Sequence, residues 1–150
     1  MSSHFQDVYF FHKKMRLPAP DFPTLLDPNT MFGRVEMMLE EIKELMEAFR
    51  TRDVVPKHEA IAEITDALID LVYFALGTGV LMGVPWDMCW RFVQEANMQK
   101  ELVGNPAESK RHNVLDVKKP VGWVDPRFKI ADLLDIILRD EAQRRARGEV

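Results

Sequence analysis

Ala60-Ile61-Ala62-Glu63-Ile64-Thr65-Asp66-Ala67-Leu68-Ile69-Asp70-Leu71-Val72-Tyr73-Phe74-Ala75-Leu76 is the stretch on which the fold turns. Its apolar residues fall on almost every side of a helical wheel, which predicts a helix of about His58 to Met82 at the centre of a bundle. Gly83-Val84-Pro85 ends it. Three carboxylates interrupt the apolar surface: Glu63, Asp66 and Asp70 stand at i, i+3 and i+7, within roughly 60° of one another. A narrow acidic strip on a buried helix is costly unless each charge is paired or bound to a metal. The alternative is a strip that faces water or meets Arg and Lys from another element. Asp70 also decides against a membrane span, because the charge-free part of the run, Leu71 to Trp86, falls short of the ~20 residues needed.

Upstream, Phe5 to Met15 predicts a short amphipathic helix ended by Leu17-Pro18-Ala19-Pro20, and the prolines between Pro18 and Asn29 predict an extended loop. Asn29 or Thr30 is the expected cap of a second helix, Met31 to Thr51, with Val35, Met38, Leu39, Ile42, Leu45, Met46 and Phe49 as its core stripe. Downstream, a fourth helix runs from Pro85 or Trp86 to Val103. An irregular segment follows over about 104–128, then a last helix from Lys129 to Arg145 with a frayed tail. No strand pattern and no internal repeat stands out. The expected fold class is all-α, a helical bundle of four to five helices in one domain over 1–150. So apolar a central helix needs more cover than its neighbours supply, which predicts completion by dimerisation, with a tetramer also open.

Composition bounds the function. The chain is 47% hydrophobic and 29% charged, with mean hydropathy -0.20, as an ordinary soluble domain is. A net charge of -4 argues against a general nucleic-acid binder, which normally shows a basic footprint. Acids concentrate in Glu36 to Glu47 and Glu59 to Asp70, bases in Lys100 to Lys119 and Arg139 to Arg147. The split suits a site where acids hold a cation and bases meet an anionic ligand, although solvated surface charge looks the same. The lone Cys89 excludes an internal disulfide and a cysteine-based zinc cluster. With a start that lacks a signal-peptide layout, it leads to the expectation of a cytoplasmic protein with no membrane partner.

The second acidic motif is Glu40-Glu41-Ile42-Lys43-Glu44, with Glu36 and Glu47 nearby. Its carboxylates spread over roughly 100° of a helix and alone would read as a solvated face. Facing the Glu63/Asp66/Asp70 strip across a bundle, they make an oxygen-rich site suited to Mg²⁺, or to Mn²⁺ as a substitute. A di-iron site expects Glu-x-x-His pairs, and none of His4, His12, His58 or His112 has a Glu three residues before it. Gly77-Thr78-Gly79 follows no strand, so it reads as small residues for close helix packing and not as a nucleotide loop. The Arg139 to Arg147 segment reads as a solvated helix end.

In order along the chain, Phe11-His12, Arg34, Glu40-Glu41-x-x-Glu44, Glu63-x-x-Asp66-Ala67-Leu68-Ile69-Asp70-Leu71-Val72-Tyr73, Asn97-Met98-Gln99-Lys100 and Lys119-Pro120-Val121-Gly122-Trp123 resemble the MazG-like all-α nucleotide pyrophosphohydrolase superfamily. That superfamily includes phosphoribosyl-ATP pyrophosphohydrolases and dimeric dUTPases. The resemblance covers about residues 5–138 and is closest to short single-domain bacterial and phage members. It implies Mg²⁺-dependent hydrolysis of a nucleoside triphosphate between the α- and β-phosphates, in nucleotide-pool control or house-cleaning. It implies Glu40, Glu41 and Glu44 as ligands or water-activating groups, and Asp70 as a ligand. Where many members carry a Glu three residues before that Asp, this chain has Ala67, so Glu63 or Asp66 has to supply the missing oxygen. Lys100 and Lys119 then neutralise phosphates, Asn97 hydrogen-bonds ribose or phosphate, and His12, Phe32 and Trp123 are candidates for the base. Arg34 joins the substrate-binding set. The competing reading is a non-catalytic helical dimer that binds a divalent metal or a protein partner through the same acids.

Overall fold

A computed structural model describes residues 3–105, 107, 109 and 116–149. Within them lie five helices and a two-stranded hairpin, an all-α architecture. The chain divides into two compact units, Met1–Val84 and Pro85–Val150.

The first unit begins with α1, His4–Met15. Ser3 and Gln6 cap it reciprocally: the Ser3 hydroxyl accepts from Gln6 N, and the Gln6 side chain accepts from Ser3 N. One face of α1 buries Val8 and His12, one turn apart. The proline-rich connection of residues 16–27 is extended, as expected, and stapled down. His12 Nδ1 donates to Pro18 O (3.1 Å), and Thr24 N donates to Met82 O (2.9 Å). Gly83 adopts φ +60, where a Cβ would stand 2.5 Å from Phe22 O and 2.8 Å from Pro20 O. Only glycine lets the chain turn there with the loop lying against it.

Helix α2 spans Pro28–Thr51. Neither Asn29 nor Thr30 caps it. Asp27 does, accepting from Thr30 N at 3.0 Å, and Pro28 takes the first helical position, where a missing N–H costs nothing. Helix α3 spans Lys57–Leu81 and packs against both α1 and α2. The α2–α3 pair is an antiparallel hairpin: Arg34 reaches Phe74 and Thr78, while Glu41 lies in the field of Asp66 and Asp70.

Two expectations about these helices are corrected. The stripe of α2 that turns inward is Met31, Arg34, Met38, Glu41, Leu45 and Ala48, at spacings of three and four, each half-buried or buried. Val35, Leu39, Ile42, Met46 and Phe49, expected in the core, are exposed, as is Phe32. The apolar arc of α2 is wide enough for two partners, and α3 takes only one edge of it. Nor is α3 buried all round. It is buried from Leu76 to Val80 and at Ala60 and Ala67, while Ile61, Leu68, Ile69 and Val72 stay about half exposed. Among the described residues α3 is the one helix long and apolar enough to cross a membrane, by length and composition alone.

In the second unit, α4 spans Trp86–Met98 and stops short of Val103. The residues beyond it pair instead: β1, Glu101–Leu102, lies antiparallel to β2, Val117–Lys118, a hairpin where no strand was expected. Val103 N donates to Asp116 O, and Ser109 Oγ donates to Asp116 Oδ2 at 2.8 Å, pinning the far end. Of the irregular segment, 106, 108 and 110–115, with His112, lie outside the described residues. Helix α5, Pro126–Ala146, starts on Asp125 and ties back to α4 through Lys129 and Glu95 (3.1 Å). Its arginines form i,i+4 pairs, Arg139–Asp135, Arg144–Asp140 and Arg145–Glu141, on a solvated helix end as expected.

Candidate active site

The inward stripe of α2 puts a carboxylate where a leucine would normally sit. Glu41 is half-buried, and its Oε2 is out of contact with water and without a hydrogen-bond partner. Burial holds the Glu41 carboxyl above the usual carboxylate range, reinforced by the negative charges of Glu44, Asp70, Glu40 and Asp66 in that order. The two acidic motifs therefore do face each other across the α2–α3 hairpin. Glu63, a turn earlier on α3, is not one of these four. The expectation that the α3 strip is buried does not hold: Glu63, Asp66 and Asp70 are exposed, as are Glu40 and Glu44. Ala67, one step from Asp66, is the buried position. Among the described residues no three His, Cys, Asp or Glu side chains converge closely enough to hold a metal as they stand. The carboxylates share a field and not yet a coordination shell. A buried orphan oxygen amid four like charges is what a cation would relieve, so the donor set fits Mg²⁺.

Further along the same hairpin lies a cation. Arg34 Nε donates to Thr78 Oγ1 (3.1 Å), Nη2 to Phe74 O (2.7 Å) and Nη1 to Met37 Sδ (3.5 Å). Its guanidinium also lies over the Phe74 ring, 5.1 Å from the centroid. Burial lowers the Arg34 pKa from its ordinary value. No carboxylate pairs with it among the described residues. His12, a candidate contact to the base, is only 4% exposed. Gly77 underlies both, with a hypothetical Cβ 2.8 Å from Arg34 Nη2 and 3.3 Å from His12 Nε2. The small residue thus accommodates two polar side chains, where close helix packing was expected. Pattern reading had no signal for this, since helical spacing cannot tell a glycine under a helix from one under a guanidinium. Phe32, a further candidate contact to the base, is 68% exposed.

The downstream candidates also gather, within the second unit. Lys100 Nζ donates to Asn97 Oδ1 (2.7 Å), and Trp123 Nε1 donates to Ala96 O (2.8 Å), which fixes the indole. Lys119 Nζ stands 3.9 Å from the Trp123 ring centroid and Lys100 Nζ 5.8 Å. Four residues read from separate motifs form one aromatic platform with two ammonium groups. A cavity of about 480 Å³ between α1 and α3, lined by Val8, Leu68, Ile69, Val72 and Leu76 with His4, Asp7 and Thr65, contains none of the candidate acids.

With this geometry in place, comparison with known proteins is informative. No curated protein matched the chain. The profile of the phosphoribosyl-ATP pyrophosphohydrolase family matches residues 8–97, a span that holds α1 from Val8 onward, the α2–α3 hairpin and all six candidate acids. The chain therefore belongs to the phosphoribosyl-ATP pyrophosphohydrolase family, within the MazG-like superfamily, and is a pyrophosphohydrolase-type enzyme.

Proposed function

We propose that this protein hydrolyses a nucleoside or deoxynucleoside triphosphate between the α- and β-phosphates, giving a monophosphate and pyrophosphate, in nucleotide-pool control or house-cleaning. The observation that carries the reading is Glu41: a carboxylate at a core position of α2, with an orphan oxygen, set among Glu40, Glu44, Asp66 and Asp70. These residues are the proposed Mg²⁺ ligands, Mn²⁺ being the substitute. Asp66 is favoured over Glu63 because its charge reaches Glu41. Mg²⁺ bound there would neutralise the triphosphate and make a water molecule more acidic. Glu40 or Glu41 would take a proton from the attacking water as its oxygen bonds to the α-phosphorus and the bond from that phosphorus to the bridging oxygen breaks, releasing pyrophosphate. Arg34 on α2 and His12 on α1 are the proposed substrate contacts of the first unit; within the second unit, Asn97, Lys100, Lys119 and Trp123 are proposed to meet phosphate, sugar or base through their own cluster.

The exposed outer stripe of α2 and the bare face of α3 support a homodimer, which would cover apolar surface that one chain leaves in water. A cytoplasmic setting is consistent with the unpaired Cys89.

The test is release of pyrophosphate from each NTP, each dNTP and phosphoribosyl-ATP in the presence of Mg²⁺, with sedimentation to read the assembly. Release confined to nucleoside triphosphates and abolished in Asp70→Asn, with helicity retained, is expected. Metal binding without release from any nucleotide would favour a non-catalytic metal-binding dimer, and an active Asp70→Asn would displace the site.

A further inference from the structure

Gly77 lies within α3, in ordinary helical backbone, where no turn calls for glycine and helix propensity disfavours it. What distinguishes the position is the atom it lacks. The three atoms nearest a Cβ there from other parts of the chain all belong to side chains: Arg34 Nη2 at 2.8 Å, His12 Nε2 at 3.3 Å and Arg34 Cζ at 3.7 Å. Helix α3 can therefore accept a methyl only by moving the guanidinium, which Phe74 O and Thr78 Oγ1 now hold in place. The guanidinium has no carboxylate partner among the described residues, and part of its five-donor fork remains uncommitted. Seven residues of α3 separate Gly77 from Asp70, about 10 Å of helix rise. That distance is within the reach of one nucleoside triphosphate whose phosphates are held at the acids.

We propose that Gly77 is a positioning residue: its bare Cα is the floor on which the Arg34 guanidinium and the His12 imidazole rest, aligning Arg34 with a phosphate of the bound nucleotide. This inference rests on the proposed triphosphate hydrolysis. Arg34 would meet that phosphate before and during bond cleavage alike, so displacing it weakens binding more than turnover.

The experiment compares Gly77→Ala with wild type on the best substrate of the nucleotide panel, and measures binding of inorganic tripolyphosphate with Mg²⁺ by calorimetry. The expected result is a KM raised about tenfold with kcat within about twofold, and a similar loss of tripolyphosphate affinity. Gly33→Ala, on α2 with open space around its Cβ, leaves both unchanged. In an Arg34→Lys background the guanidinium is gone, and Gly77→Ala should add less than about a further twofold. A KM within about twofold of wild type, or the same fold loss in both backgrounds, overturns the proposal. Should Gly77→Ala melt early, Arg34→Lys is expected to restore the melting temperature. If it does not, Gly77 serves backbone packing and the proposal fails. A wild-type protein that releases pyrophosphate beside an unaltered Gly77→Ala sinks this inference alone, whereas no release from wild type removes the hydrolase reading and the inference with it.

Discussion

Thr78→Val isolates the bond that locks Arg34 across the hairpin. Valine matches threonine in shape, so the buried site, 9% exposed, is neither emptied nor overfilled. Two hydrogen bonds change. The hydroxyl's bond to Phe74 O is cheap to lose, because that carbonyl still accepts from Arg34 Nη2 at 2.7 Å. The bond from Arg34 Nε at 3.1 Å is not, since a charged donor is left against a methyl group. A hydrogen bond to a charged group contributes about 1.5–3 kcal/mol. Arg34 is only half-buried and water can partly replace the lost oxygen, so the lower end applies: about 1.5 kcal/mol. Urea unfolding followed by circular dichroism reads it directly if the m-value is unchanged. Arg34→Met supplies the second edge of a double-mutant cycle. In that background Thr78→Val should cost less than about 0.5 kcal/mol, the additivity limit for uncoupled sites. Equal costs in both backgrounds would show that the threonine acts through packing alone, and the account of the Arg34 seat would be wrong.

Glu41→Gln should raise the stability of the metal-free protein at neutral pH while abolishing pyrophosphate release, two effects that calorimetry and turnover separate. The sign follows from linkage: Glu41 keeps its proton to higher pH when folded than when unfolded, so metal-free stability falls as pH rises from about the ordinary value of 4.5 through the raised one. Glutamine at this position, or saturating Mg²⁺, should flatten that decline, and a wild-type profile unaffected by either would refute it. Trp123→Phe keeps a ring beside Lys119 but removes the donor to Ala96 O, so it should destabilise by about 1 kcal/mol in urea melts. Gly83→Ala places a Cβ at φ +60 against Phe22 O, and should cost about 1–3 kcal/mol and speed proteolysis of residues 16–27; unchanged cleavage would mean the loop is not held there.

The helices were legible because their apolar residues are periodic and their ends carry Pro and Gly. Each of the five begins within three residues of where the pattern put it, and α4 starts on Trp86 as read. The hairpin was not legible, since two-residue strands are too short to show alternation and their partners are separated by the segment around 103–116. The two acidic motifs were legible as sequence, and the hairpin brings Asp66 and Asp70 into the field of Glu41. Which face of α2 turns inward was misread for a physical reason: Arg34 and Glu41 occupy inward positions, and a hydrophobicity pattern assigns such residues to water. Their inward placement is what the proposed site is built on. Burial of the α3 acids was overestimated because apolar composition was taken to mean cover on all sides, which one chain does not supply.

The outer stripe of α2 carries a constraint of its own. Phe32, Val35, Leu39, Ile42, Met46 and Phe49 recur at alternating steps of three and four, a mean period of 3.5 against the 3.6 of a straight helix. The line they draw therefore drifts around α2 by about 20° in every seven residues. A straight rod laid along it would lose contact before reaching the far end. Whatever helix covers this seam has to wind around α2 in a left-handed coil, with its knobs set into the gaps between these six side chains.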